Sequence, residues 1–175
     1  MKSIVKLLLF CILFAGCSVS TKIYETNKPV FNIVSYFCGV TEGYGIFFDY
    51  RDRATIRFKV TATGNCETPG VLKMNQNIVF EDGSTESHNR EFAMIDDNHL
   101  SLTGNAIVDP EPIEQYGNAA HMEYTKIIQR GLNSIEFGIK EDMYMLDNNQ
   151  VMNKINVKKM LFTFGDVVII WRKNV

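Results

Sequence analysis

The chain has 175 residues, 46% of them hydrophobic and 22% charged. These are the proportions of one packed globular domain and exclude a disordered, collagen-like or coiled-coil chain. Eighteen Lys and Arg against 20 Asp and Glu give a formal net charge of −2, and without a basic run the chain lacks the electrostatic footprint of a nucleic-acid-binding protein.

Lys2 and Lys6 make a short positive leader ahead of an eight-residue apolar run, Leu7 to Phe14. A membrane-spanning helix needs about 20 such residues, whereas the apolar region of a signal peptide is this short. The run ends in Phe14-Ala15-Gly16-Cys17. This resembles a bacterial lipobox, in which a cysteine preceded by small residues is acylated and becomes the new N-terminus. Phe14 stands where the pattern usually has Leu. The resemblance implies a signal peptide over 1–16 and lipidation at Cys17. Loss of Lys2 and Lys6 with the leader takes the net charge to −4. The acyl chains (a palmitate among them) would hold the chain on a membrane without a spanning segment, at about 0.8 kcal/mol per buried CH₂. Ser18, in place of Asp after the cysteine, resembles a signal for outer-membrane delivery in enteric-type bacteria. The expected location is the bacterial cell envelope, lipid-anchored at the outer membrane and facing the periplasm.

With Cys11 in the leader and Cys17 lipidated, Cys38 and Cys66 are left in an oxidising compartment. A bridge between them closes a loop worth about 3.5 kcal/mol in the chain-entropy model. Spacing alone leaves open whether they pair or stay as separate thiols. His88, His99 and His121 are isolated, so neither a metal site nor a cofactor is expected.

Residues 17–28 are polar and read as a tether, ahead of a single domain over 29–175. Pro29, the spacing of Val30, Phe31, Val34 and Phe37, and Gly39 predict one short helix. Strands follow. Ile56, Phe58, Val60 and Ala62 alternate with polar neighbours, and Leu72, Met74, Gln76, Ile78 and Phe80 form the next inward set. Asp82-Gly83 marks a hairpin. Arg90, Phe92 and Met94 share a face, and Leu100, Leu102, Gly104, Ala106 and Val108 continue the alternation. Pro110 to Gly117 reads as a loop; Met122, Tyr124 and Ile128, then Ile135, Phe137 and Ile139, belong to two more strands, and Val167 to Trp171 to the last.

About eight or nine short strands joined by tight turns favour an all-β, up-and-down antiparallel barrel with one short N-terminal helix. A membrane-spanning barrel is disfavoured, because the outward faces carry Arg57, Lys59, Lys73, Asn75 and Asn77.

Several short motifs carry a family resemblance. Glu81-Asp82-Gly83 is followed by Arg90-x-Phe92, then Gly117-Asn118-Ala119 and Tyr124. Glu141-Asp142-Met143-Tyr144 matches an Asp-Asp-Trp-Met-Tyr stretch after a one-residue shift, and Asn153, Phe164-Gly165 and Trp171-Arg172-Lys173 close the series. From Phe37 to Lys173 the chain resembles a family of small proteobacterial lipoproteins of unknown function. The resemblance implies location and a lipocalin-like barrel, and no activity.

Arg90 and Glu141 fall on inward faces, and a buried charge is costly unless paired. They are therefore expected to meet, with Gln76, Tyr124 or Asn153 in the same network. Such a network is either a structural plug or a polar anchor for an apolar ligand. Three functions stay open: a barrel binding a small apolar ligand; a filled barrel docking an unknown protein partner through loops such as Pro110 to Gly117; and an enzyme using Arg90, Glu141 and Tyr124. Gly-x-Ser-x-Gly, phosphate-loop and His-Glu-x-x-His motifs are absent, which weighs against the enzyme.

Overall fold

A computed structural model describes residues 20–130 and 133–173. The leader over 1–16 and Cys17 lie outside the described residues. The order is a 3₁₀ turn (Thr21–Tyr24), helix α1 (Ile33–Phe37) and strands β1 (Gly39–Asp49), β2 (Ala54–Asn65), β3 (Val71–Phe80), β4 (Thr85–Met94), β5 (His99–Gly104), β6 (Ile107–Val108), β7 (Ile113–Tyr116), β8 (Ala119–Arg130), β9 (Asn133–Asp147), β10 (Gln150–Lys159) and β11 (Phe162–Lys173). Each strand pairs antiparallel with its sequence neighbours, except that β6 lies beside β8 and lets β5 meet β7. β1 pairs with β11 and β8 with β9, so ten strands close into an up-and-down barrel. The strand count thus exceeds the expected eight or nine.

Three strands were not legible. In β1 the inward positions are Thr41, Gly43, Gly45 and Phe47, so the apolar alternation is broken by two glycines. Both glycines are sterically required: a Cβ on Gly43 would lie 2.9 Å from Ile169, Trp171 and Val60 at once, and one on Gly45 would run into the Phe58 ring. β10 carries Asn153 on its inward face between Val151 and Ile155. β7 occupies part of the expected Pro110–Gly117 loop, and its Ile113 and Gln115 are buried in the wall. The expected run from Leu100 to Val108 also divides, because Ala106 turns the chain with a φ of 63° between β5 and β6.

α1 begins later than Pro29. Asn32 caps it by accepting from the Ser35 amide at 2.9 Å. It closes one end of the barrel, burying Phe31, Ile33, Tyr36 and Phe37. The Phe37 ring packs edge-on against Trp171 with centroids 5.2 Å apart. Cys38 and Cys66 are bonded, with Cα atoms 5.8 Å apart, and tie the end of α1 to the end of β2. The stretch read as a tether packs at this same end. Thr21 is buried, and the Tyr24 ring meets Tyr144 edge-on. The opposite end, ringed by the β1–β2, β3–β4, β8–β9 and β10–β11 hairpins, is the mouth.

Candidate functional site

Between α1 and the mouth the barrel encloses a cavity of about 440 Å³. Its wall is largely aliphatic and aromatic, with Phe58, Ile78, Phe137, Ile139, Ile155 and Ile169 among the lining residues. This size falls within the range of small-molecule sites.

A polar network forms part of the lining. β4 points Arg90 inward from the Phe92 and Met94 face, and β9 points Glu141 inward from the Ile139 and Met143 face. Arg90 Nη1 donates to Glu141 Oε2 at 3.0 Å, and Arg90 Nη2 donates to the Tyr124 hydroxyl at 2.8 Å. Tyr124 in turn donates to Glu141 Oε2 at 3.1 Å, and Asn153 Nδ2 donates to Glu141 Oε1 at 2.7 Å. The carboxylate therefore receives three donors, which offsets its desolvation. Burial opposes the Arg90 charge, but Glu141 and Tyr124 beside it hold its pKa above the ordinary arginine range. Burial also pushes the Tyr124 phenol well above the usual tyrosine value. Gln76 lines the same cavity. Asn153 Oδ1 is buried and has no hydrogen-bond partner among the described residues.

Two cavity residues stand outside the expected set. His88 lies two residues before Arg90 on β4, and Lys126 two residues after Tyr124 on β8, one step nearer the mouth in each strand. The period of two that places Arg90 and Tyr124 inward also places these two inward. Lys126 Nζ donates to His88 Nε2 at 3.1 Å. Burial, with the Lys126 and Arg90 charges, lowers the His88 pKa to about 4, so at neutral pH its ring is uncharged and can accept that bond. Burial, with the Arg90 charge, lowers the Lys126 pKa to about 8, against the opposing pull of Glu86 and Glu141. Among the described residues Lys126 forms no ion pair. Glu86 lies at the rim, exposed, 3.3 Å from His88. Arg90 is matched by Glu141, while Lys126 has Glu86 as the other charged residue of the lining, which acts on it from the rim without forming an ion pair.

A model of a family described as "protein of unknown function (DUF3833)" matches residues 11–173. No curated protein matches the chain. Among solved structures, a protein with unknown function from the DUF3598 family of Nostoc punctiforme is similar at a TM-score of 0.55 and 12% identity, over 84% of this chain and 51% of that one. The chain thus spans about half the length of that relative, and the likeness concerns the fold alone.

Proposed function

The chain belongs to the DUF3833 family of proteins of unknown function, and from the geometry of its barrel we propose that it binds a small amphipathic ligand. The ligand's apolar body lies against the aliphatic wall, and its acidic head lies between Lys126 and the Arg90–Tyr124 network. One observation carries this reading: an apolar cavity of about 440 Å³, closed by α1, holds the half-buried Lys126 ammonium, which forms no ion pair among the described residues. Partial burial and the Arg90 charge work against the Lys126 ammonium, and an anionic head group beside it relieves that cost. A filled structural barrel would not leave this volume. We further propose that the chain is an envelope lipoprotein, lipid-anchored through Cys17 at the outer membrane and facing the periplasm. The short apolar leader and the Ala-Gly-Cys ending support this.

The test is a titration of the full chain with hexadecanoate and with hexadecanol, each displacing a fluorescent fatty-acid probe. The acid is expected to bind at least tenfold more tightly than the alcohol, and Lys126→Met to remove that preference. Equal binding would overturn the acidic head, and absence of binding by both would overturn the ligand-binding barrel. Release of a Cys17→Ser chain from the membrane fraction tests the anchor; persistence there would sink it.

A further inference from the structure

The β10–β11 hairpin leaves three consecutive large apolar side chains in water at its tip: Met160 is 86% exposed, Leu161 94% and Phe162 76%. A single exposed apolar residue is ordinary, but three together on a projecting turn mark a surface that is covered in use. The turn contains no glycine, asparagine or proline, and Met160 itself takes the left-handed conformation, with φ 54°. Stability is therefore not what selects these residues, since Gly or Asn would fit that position with less strain.

Charge identifies the occupant. Lys158 and Lys159 lead directly into the tip, both are exposed, and neither forms an ion pair among the described residues. On the adjoining β1–β2 hairpin, exposed Tyr50 sits under the Arg51 guanidinium, 5.1 Å from its ring centroid, while Asp49 and Asp52 balance Arg51 and Arg53, so the unpaired positive charge belongs to the β10–β11 tip. An apolar point with cations set just behind it fits a lipid surface: the apolar side chains enter the acyl boundary while the ammonium groups meet anionic head groups. A protein partner of similar affinity would need a broad complementary face rather than a narrow tip.

We propose that the β10–β11 tip docks the mouth of the barrel onto an anionic lipid bilayer. The proposal goes beyond the ligand reading and does not depend on it. The two are contiguous, however: Val157 and Phe164, just behind the tip on either strand, line the cavity. Docking therefore places the cavity opening at the acyl boundary.

The test uses the full chain carrying Leu161→Trp, with the unchanged chain as baseline because its single tryptophan, Trp171, is buried. The chain is mixed with vesicles whose phosphatidylcholine carries brominated tails, with or without added phosphatidylglycerol. Quenching of the new tryptophan by the tails is expected with phosphatidylglycerol present, and its loss on adding salt. Lys158→Ala with Lys159→Ala should lower the vesicle affinity at the tip roughly thirtyfold, since each lysine near an anionic surface contributes about fivefold. If the chain floats with the vesicles but this tryptophan stays unquenched, the protein is held by another segment and the proposal is wrong. If it binds no vesicles, the proposal is equally wrong. If the chain forms a dimer without lipid and Leu161→Asp dissolves it, the tip serves a second copy instead. None of these outcomes bears on hexadecanoate binding, so the cavity reading stands or falls separately.

Discussion

Replacing Glu141 with Gln changes one atom and removes one charge, and the structure fixes what that costs. The side chains of Arg90 and Glu141 are 9% and 1% exposed, and the pair is joined at 3.0 Å. In Glu141→Gln one carboxylate oxygen becomes an NH2, so the remaining oxygen accepts from Tyr124 or from Asn153 but not from both, and the Arg90 guanidinium is left in an apolar enclosure without its counter-charge. Breaking one side of a buried pair costs about 3–5 kcal/mol. At about 3 °C per kcal/mol for a chain of this size, the Tm falls by roughly 10–15 °C. Arg90→Met strands the opposite charge, although Glu141 keeps two donors, so its cost is smaller, about 2–3 kcal/mol. In the double variant no charge is stranded and only the bonds to Arg90 are gone, at about 1–2 kcal/mol. The cycle should therefore close with a coupling of at least about 3 kcal/mol. Urea unfolding followed by Trp171 fluorescence reads all four proteins. Additive costs, with a coupling below about 0.5 kcal/mol, would refute the claim that the two residues stabilise each other as a charge pair.

His88 makes the barrel acid-sensitive. Its folded pKa of about 4 lies below the ordinary 6.5, so the unfolded chain takes up the proton first and stability falls as pH drops from 6.5 to 4. The loss is about 3 kcal/mol, and urea midpoints should show His88→Gln spared that share; an equal loss in the variant would disprove it. Lys126 sets the opposite edge: with its pKa near 8, hexadecanoate affinity should weaken as pH rises past that value, while Lys126→Arg, which stays charged, holds it level. A parallel decline in Lys126→Arg would remove Lys126 from the head-group site. Reducing the Cys38–Cys66 bridge should lower stability by about 3.5 kcal/mol, measured as the shift in urea midpoint with reductant; no shift in the Cys38→Ala, Cys66→Ala double variant on reduction serves as the control, and no shift in the parent would contradict the loop-closure argument. Finally, the chain lipidated at Cys17 should cluster phosphatidylglycerol vesicles, seen as a rise in scattered light that Leu161→Asp abolishes; an unchanged signal in that variant would place the second contact elsewhere.

How much of this could be read beforehand follows from how each element reveals its faces. β2, β3 and β9 show their inner sides because large apolar residues recur at every second position, and Arg90 and Glu141 stand out as charges on that parity. Their meeting across the barrel, 51 residues apart in sequence, follows from the cost of leaving either alone. β1 hides because it gives up its inner side chains at Gly43 and Gly45 to make room for Trp171 and Phe58, so the information lies in its neighbours' size. His88 and Lys126 share the inward parity of Arg90 and Tyr124, but a histidine and a lysine near strand ends look like ordinary surface residues until the closure of the wall brings β4 and β8 together. The tip at Met160 to Phe162 reads locally as strand because it lacks turn chemistry; only its exposure separates it from the core.

The two ends of the barrel impose different requirements. At the closed end Tyr24 lies against Gly117 in the β7–β8 turn, and Ser20 is the first described residue there. It is three residue steps along the chain from Cys17, a reach of about 10 Å when extended. The mouth lies a strand's length away, and ten residues of β10 span roughly 30 Å. A lipid on Cys17 and a bilayer-inserted Leu161 therefore cannot share one flat membrane while the barrel stands upright. Either the barrel lies along its own membrane, in which case Ile170 and Tyr44 on the outer wall of β11 and β1, both exposed, face lipid, or its mouth meets an apposed surface. The outer wall argues against the first. Tyr44 is covered by the Lys59 ammonium 5.8 Å from its ring, which is itself paired to Glu42 at 2.6 Å, and Arg57 pairs with Glu81 beside them. That side is a solvated salt-bridged face, costly to press into hydrocarbon. The tip is the apolar point, and it lies at the end of the barrel opposite Ser20. If the proposed lipid on Cys17 and the proposed docking of the tip both hold, the arrangement that satisfies both is a barrel fixed at its closed end and opening toward a second lipid surface.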